Sequence, residues 1–127
     1  MMFILIDTNI FVDHLRGRNE ATEFLKDCIN KYDTVYYSVI TRIELMAGMR
    51  QSEESIINEL LEVFKEISVS KEIAYLAGLY MNKYIKSHGV NVPDAIIAAS
   101  ARNSNACLFT LNLKHFPMQD VKIERPY

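Results

Sequence analysis

At 127 residues the chain has the length of one domain, enough to bury a core without disulfide or metal staples. Half of it is apolar, which leaves some apolar surface for a partner, but no stretch approaches the roughly 18 uninterrupted apolar residues of a membrane span. A net charge of −2 and a pI of about 5.9 neither support nor exclude nucleic acid: a general electrostatic binder is usually basic, whereas an enzyme that brings metal ions to phosphodiesters can be acidic.

Residues 2 to 6 are apolar without a break, the pattern of a strand buried on both faces. Asp7, Asp13 and His14 then interrupt the N-terminus, which has no basic n-region and does not read as a signal peptide. Asp7 places a carboxylate where the strand stops, and Thr8 and Asn9 are residues that turn or cap a chain at a helix start. A short helix over residues 10–16 ends at Gly17, and a second over 20–31 carries Ala21, Phe24, Leu25, Cys28 and Ile29 on one face. Residues 34–39 are β-branched and aromatic, hence a strand, and a helix follows through Glu44 to Gly48.

Ser52 caps a further helix with Ile56, Ile57, Leu60, Leu61 and Phe64 inward and Glu53, Glu54, Glu59, Glu62 and Lys65 outward. Residues 67–69 form a short strand or extended link. The longest helix, 71–87, is stopped by His88 and Gly89; Ile73, Leu76, Ala77, Tyr80 and Tyr84 face the core, while Tyr75 and Leu79 lie on another side that can meet a partner. Pro93 suits the first turn of a helix that Asp94 to Asn103 continues. Residues 106–110 are another apolar strand, ended by the run from Leu111 to Pro117, and Val121 to Ile123 alternates as a final edge strand. Strands alternating with helices predict an α/β/α sandwich around a mostly parallel sheet, one domain over residues 1–127. Cys28 and Cys107 stand alone, without a CxxC or Cys/His cluster, as buried thiols of a reducing cytoplasm.

Four strand-to-helix junctions or helix starts carry a polar group suited to chemistry. Asp7 follows the first strand, Glu44 lies within about a turn of the helix after the second, Asp94 opens the helix after Pro93, and Asn112 follows strand 106–110. In a parallel sheet such positions fall on one edge, where sites gather. Each also has a structural reading. Thr41-Arg42-Ile43-Glu44 matches an S/T-x-x-E capping box, Asp94 suits the positive end of a helix, Asn112 can cap a turn, and Asp13 reads as solvated surface. Taken together, three converging carboxylates repel, and one takes up a proton unless a cation lies between them. Oxygen-only sites suit Mg²⁺ or Mn²⁺, which lower the pKa of a bound water and stabilise charge on a phosphoryl centre. That is the chemistry of phosphodiester hydrolysis.

With these residues in place, the chain resembles a family. Residues 4–11 (ILIDTNIF), 38–45 (SVITRIEL), 93–98 (PDAIIA) and 110–116 (TLNLKHF) look like the successive motifs of PIN-domain ribonucleases, in order and across essentially the whole chain. The length and the Glu-Leu-x-x-Gly run from Glu44 to Gly48 are most like the VapC-type toxins of toxin–antitoxin pairs. The resemblance implies an endoribonuclease in which Asp7, Glu44 and Asp94 are the acidic ligands of Mg²⁺ or Mn²⁺. It implies that Thr8, Asn9, Ser38 and Thr110 support or orient the site. Asn112 stands where the family has a fourth acid or an Asn, and a neutral amide there favours one tightly held ion. Arg42, Lys114 and His115 lie beside the motifs, where they can touch RNA phosphates or remain solvated surface. A homodimer and an antitoxin that covers the acidic edge are further implications.

Three other readings compete. A PIN-fold module that binds RNA or protein without cleaving is opposed by the presence of all three acids. A haloacid-dehalogenase-like phosphatase needs a second Asp two residues after the first, where Asn9 stands. A response-regulator receiver wants adjacent acids after the first strand, where Thr8 stands.

Overall fold

The structure, a computed structural model, describes residues 2–127. Its first strand, β1 (Phe3–Ile6), explains its own sequence: Leu5 points into one hydrophobic core and Ile4 and Ile6 into the other, all three with no exposure. A strand with both faces covered cannot alternate apolar with polar, so it reads as an unbroken apolar run. Helix α1 (Thr8–Leu15) follows at once and α2 (Asn19–Lys31) after a short turn, in which Gly17 takes the left-handed φ of +83°. Then come β2 (Thr34–Ser38), α3 (Val39–Gly48), α4 (Glu54–Glu62) and β3 (Lys65–Ile67). The chain ends with α5 (Lys71–His88), α6 (Val92–Asn103), β4 (Cys107–Phe109), a 3₁₀ turn over Leu113–His115 and β5 (Ile123–Glu124).

Among the described residues the strands form one sheet in the order β3-β2-β1-β4-β5, every pair parallel. Helices α5 and α6 cover one face around Leu5, Tyr80, Ala98 and Leu108; α1, α2 and α4 cover the other around Ile4, Phe11, Leu25 and Leu61. This is the expected three-layer α/β/α sandwich. From β1 the chain moves outward through β2 to β3 and returns to build β4 and β5 on the opposite side. The strand order therefore reverses between β1 and β4, and crevices at such points, beyond the carboxyl ends of the strands, are where ligands settle. Among the described residues no helix is long and apolar enough to cross a membrane.

Several boundaries depart from expectation for local reasons. Helix α1 starts at Thr8, two residues early, because the Asp7 carboxylate accepts the Thr8 N–H and caps it. Ser52 does not cap α4. Glu53 holds that position without a side-chain cap, and its carboxylate accepts the Arg50 N–H instead. Helix α4 also stops at Glu62, so Lys65, expected on its outer face, lies in β3 opposite Tyr36. A three-residue edge strand has too few positions to show a period, so pairing with β2 defines it. Asn91 accepts the Asp94 N–H as the cap of α6, placing Pro93 inside the first turn. Strand β5 begins at Ile123, and Val121 is buried in the core. Gly89, with a φ of +63°, ends α5 where the sequence marks the stop.

Candidate active site

The site is built at the carboxyl edge of β1, β2 and β4. Asp7, directly after β1, is only 5% exposed and bridges two elements through its two oxygens. Oδ1 accepts the Thr8 N–H at 2.8 Å, which caps α1; Oδ2 accepts the hydroxyl of fully buried Thr110 at 2.7 Å, just past β4. Thr110 Oγ1 in turn accepts the Asn112 N–H at 3.0 Å, tying the loop after β4 to the same carboxylate. One bond to each oxygen leaves lone pairs on both for a further partner.

Glu44 arrives from α3. Ser38 ends β2 and caps that helix, its Oγ accepting the Ile40 N–H. With Ser38 as the cap, Thr41 and Glu44 both lie inside the helix, so the capping box expected from Thr41 to Glu44 does not form. The Glu44 carboxylate instead accepts the Thr8 hydroxyl at 2.7 Å, and Thr8 Oγ1 is 2.8 Å from Thr41 Oγ1. Thr8 thus touches two acids: Asp7 through its backbone N–H and Glu44 through its hydroxyl.

Asp94 lies in the first turn of α6, half-buried, with Nδ1 of His115 3.3 Å from its Oδ2. His115 belongs to the 3₁₀ turn that follows β4. Burial pushes the Asp7 carboxyl up to about 6; Thr110 and Thr8 hold it down, while Asp94 and Glu44 push it further up. Burial raises Asp94 as well, with His115 opposing and Glu44 adding to the shift. Mutual repulsion among all three acids places them in one electrostatic neighbourhood. Among the described residues no three His, Cys, Asp or Glu side chains close around a common point. The donor set is nevertheless the kind that hard divalent cations take, oxygen only, and a cation would remove the repulsion that raises Asp7 and Asp94. The residues fit such an ion in chemistry.

The PIN domain family model matches residues 4–119 of this chain. The chain belongs to the PIN-domain family. Curated relatives of this PIN domain include ribonuclease VapC19 of Mycobacterium tuberculosis, 39% identical over 90% of this chain and 92% of that one. Ribonuclease VapC10 of the same organism is 36% identical over 91% and 86%. A toxin–antitoxin complex from Klebsiella pneumoniae contains a chain with the same fold, with a TM-score of 0.82 and 30% identity over 98% of each.

The other expected site residues of this PIN domain divide. Thr8 and Thr110 touch the acids directly, and Ser38 acts at one remove by fixing the start of α3. Asn9 is not tied to any acid: both atoms of its side-chain amide are buried without a hydrogen-bond partner. Asn112 bonds through its backbone, while its side chain is exposed and caps nothing. Arg42 corrects an expectation. Its guanidinium donates to Glu66 at 2.6 Å, to the Tyr37 hydroxyl at 3.0 Å and to Asn58 at 3.4 Å, committed to binding α3 to β2, β3 and α4. Lys114 and His115 are exposed on the turn beside Asp94. Asp13 is held by Arg18 at 3.2 Å and the Tyr127 hydroxyl at 2.8 Å, outside the acid cluster. Two contributors escaped the sequence reading. Asn91 was signalled by its place three residues before Asp94, whereas Thr41 was hidden by its resemblance to a cap.

Proposed function

We propose that this chain is a divalent-cation-dependent endoribonuclease, the toxin of a type II toxin–antitoxin pair, acting in the cytoplasm. The observation that carries the reading is that Thr8 bonds both Asp7 and Glu44 while Asp94 is near enough to push the Asp7 carboxyl up, in a PIN domain whose relatives are named ribonucleases. Asp7, Glu44 and Asp94 would hold one Mg²⁺ or Mn²⁺. When bound, that ion lowers the pKa of a water nucleophile and stabilises negative charge on the phosphoryl oxygens.

The chain's own residues supply the rest. Thr110 and the Thr8 N–H fix the Asp7 carboxylate, Thr8 fixes Glu44, and His115 steadies Asp94. The N-termini of α1, α3 and α6 open along this sheet edge, and their dipoles favour an anionic phosphodiester there. Lys114 and His115 flank the edge as cationic or hydrogen-bonding contacts to RNA phosphates. A partner antitoxin covering this edge would stop access; the toxin–antitoxin complex from Klebsiella pneumoniae supports an antitoxin partner. A homodimer is proposed through the exposed side of α5, where Tyr75 and Leu79 are 71% and 50% exposed.

Purified protein with Mg²⁺ or Mn²⁺ is expected to cleave cellular RNA. Asp7→Asn and Asp94→Asn should each abolish cleavage while circular dichroism stays native. Equal cleavage by wild type and both variants would overturn the assignment. Growth arrest on expression, relieved by co-expressing the neighbouring open reading frame, separates a toxin from a housekeeping nuclease.

A further inference from the structure

We infer that Thr41 is a positioning residue for Glu44, acting through the hydroxyl of Thr8; the inference rests on the reading of Glu44 as a cation ligand. Thr41 is fully buried in α3, a place where Val would fill nearly the same volume without a polar atom to satisfy. Its hydroxyl has a partner, Thr8 Oγ1 at 2.8 Å. Thr8 has one hydroxyl proton and donates it to Glu44 Oε1 at 2.7 Å. The proton between the two threonines therefore comes from Thr41. The direction is fixed: Thr41 donates to Thr8, and Thr8 donates to Glu44.

This relay has two consequences. A hydroxyl that accepts one hydrogen bond is polarised into a better donor, so Thr41 strengthens the bond on Glu44. Thr41 also fixes which way the Thr8 proton points; without it that hydroxyl is free to rotate. Glu44 stands on the exposed side of α3 with three rotatable side-chain bonds, and among the described residues its side chain has no other hydrogen bond. The threonine pair is what holds its carboxylate against the start of α1, and it joins α1 and α3 directly. Outer partners of this kind set the affinity of a site by orienting the ligand atoms.

Two measurements on the whole chain test this. Side-chain three-bond couplings of Glu44 in the cation-free protein are expected to report one rotamer in wild type, rotamer averaging in Thr41→Val and recovery in Thr41→Ser. Thr41→Ala repeats the test with a smaller side chain should Val crowd the helix, and Thr8→Val removes the middle link with the same result. Electron paramagnetic resonance titration with Mn²⁺ is expected to show about tenfold weaker binding in Thr41→Val, near wild-type binding in Thr41→Ser, and no further loss when Thr41→Val is added to Glu44→Gln. Unchanged Glu44 couplings in Thr41→Val, averaging already present in wild type, or an equal loss on the Glu44→Gln background would overturn the relay. A wild type that binds no Mn²⁺ would overturn the cation site itself, while the couplings still decide whether the relay exists.

Discussion

Asp7 is costly to the fold in its ionised form. It holds its proton to about pH 6 in the folded chain but releases it near 3.8 when unfolded, chiefly because burial disfavours the charge. Between those values the folded state binds more protons, so stability falls as pH rises, and above them the full loss, about 3 kcal/mol, is in place. Asp7→Asn is therefore expected to melt higher than wild type at pH 7.5, by about 1–3 kcal/mol, with the gap closing towards pH 4. Thermal melts at the two pH values check this; an equal gap at both would assign the effect to packing. Thr110→Val leaves Asp7 Oδ2 without its donor and is expected to lower both stability, by about 1–3 kcal/mol, and RNA cleavage. The identities of the acids were legible in the sequence, but their partners were not. Glu44 three residues after Thr41 is the pattern of a cap; Ser38 as the actual cap puts both inside the helix, and the partner Glu44 then takes is Thr8, 36 residues away.

Among the elements, α3 shows how a single cap sets a site. Ser38 ends β2 and caps α3 while fully buried, and starting the helix there turns Thr41 inward and Glu44 towards Thr8. Ser38→Ala is expected to destabilise the fold by about 1 kcal/mol in urea unfolding. It should also weaken Mn²⁺ binding, because Glu44 moves with its helix. Helix starts and stops backed by Gly or Pro were close to their expected places: Gly17, Gly89 and Pro93 act through the backbone, and backbone restrictions are written in one residue. The start of α4 and strand β3 were not, since Glu53 has no cap bond and β3 exists only because Tyr36 to Ser38 pair with Lys65 to Ile67.

For the molecule as a whole, a cation that binds only the folded chain raises its stability by mass action. Mn²⁺ at about a hundred times its dissociation constant is expected to add about 2.7 kcal/mol, a shift of several degrees in the melting temperature. The shift should be smaller in Glu44→Gln and in Asp94→Asn, as each loses one ligand and binds more weakly, and differential scanning calorimetry would show it. If α5 forms the proposed dimer, Tyr75→Glu with Leu79→Glu is expected to halve the mass seen by sedimentation without lowering the melting temperature of the monomer. A monomeric wild type would remove that proposal.

By itself the sequence determined the alternation of strands and helices, the two-faced burial of β1, and the placing of Asp7 and Asp94 at helix starts and of Glu44 within the helix after β2. These rest on local periodicity and on backbone chemistry, which act within a few residues. Only the tertiary structure decided that Thr8 serves two acids, that His115 meets Asp94, and that Arg42 is committed to Glu66, Tyr37 and Asn58. The Thr8–Glu44 and Arg42–Glu66 contacts join elements that the strand order β3-β2-β1-β4-β5 brings side by side. A hydrogen bond needs its partner within about 3 Å, and sequence spacing carries no such distance between chain-distant residues.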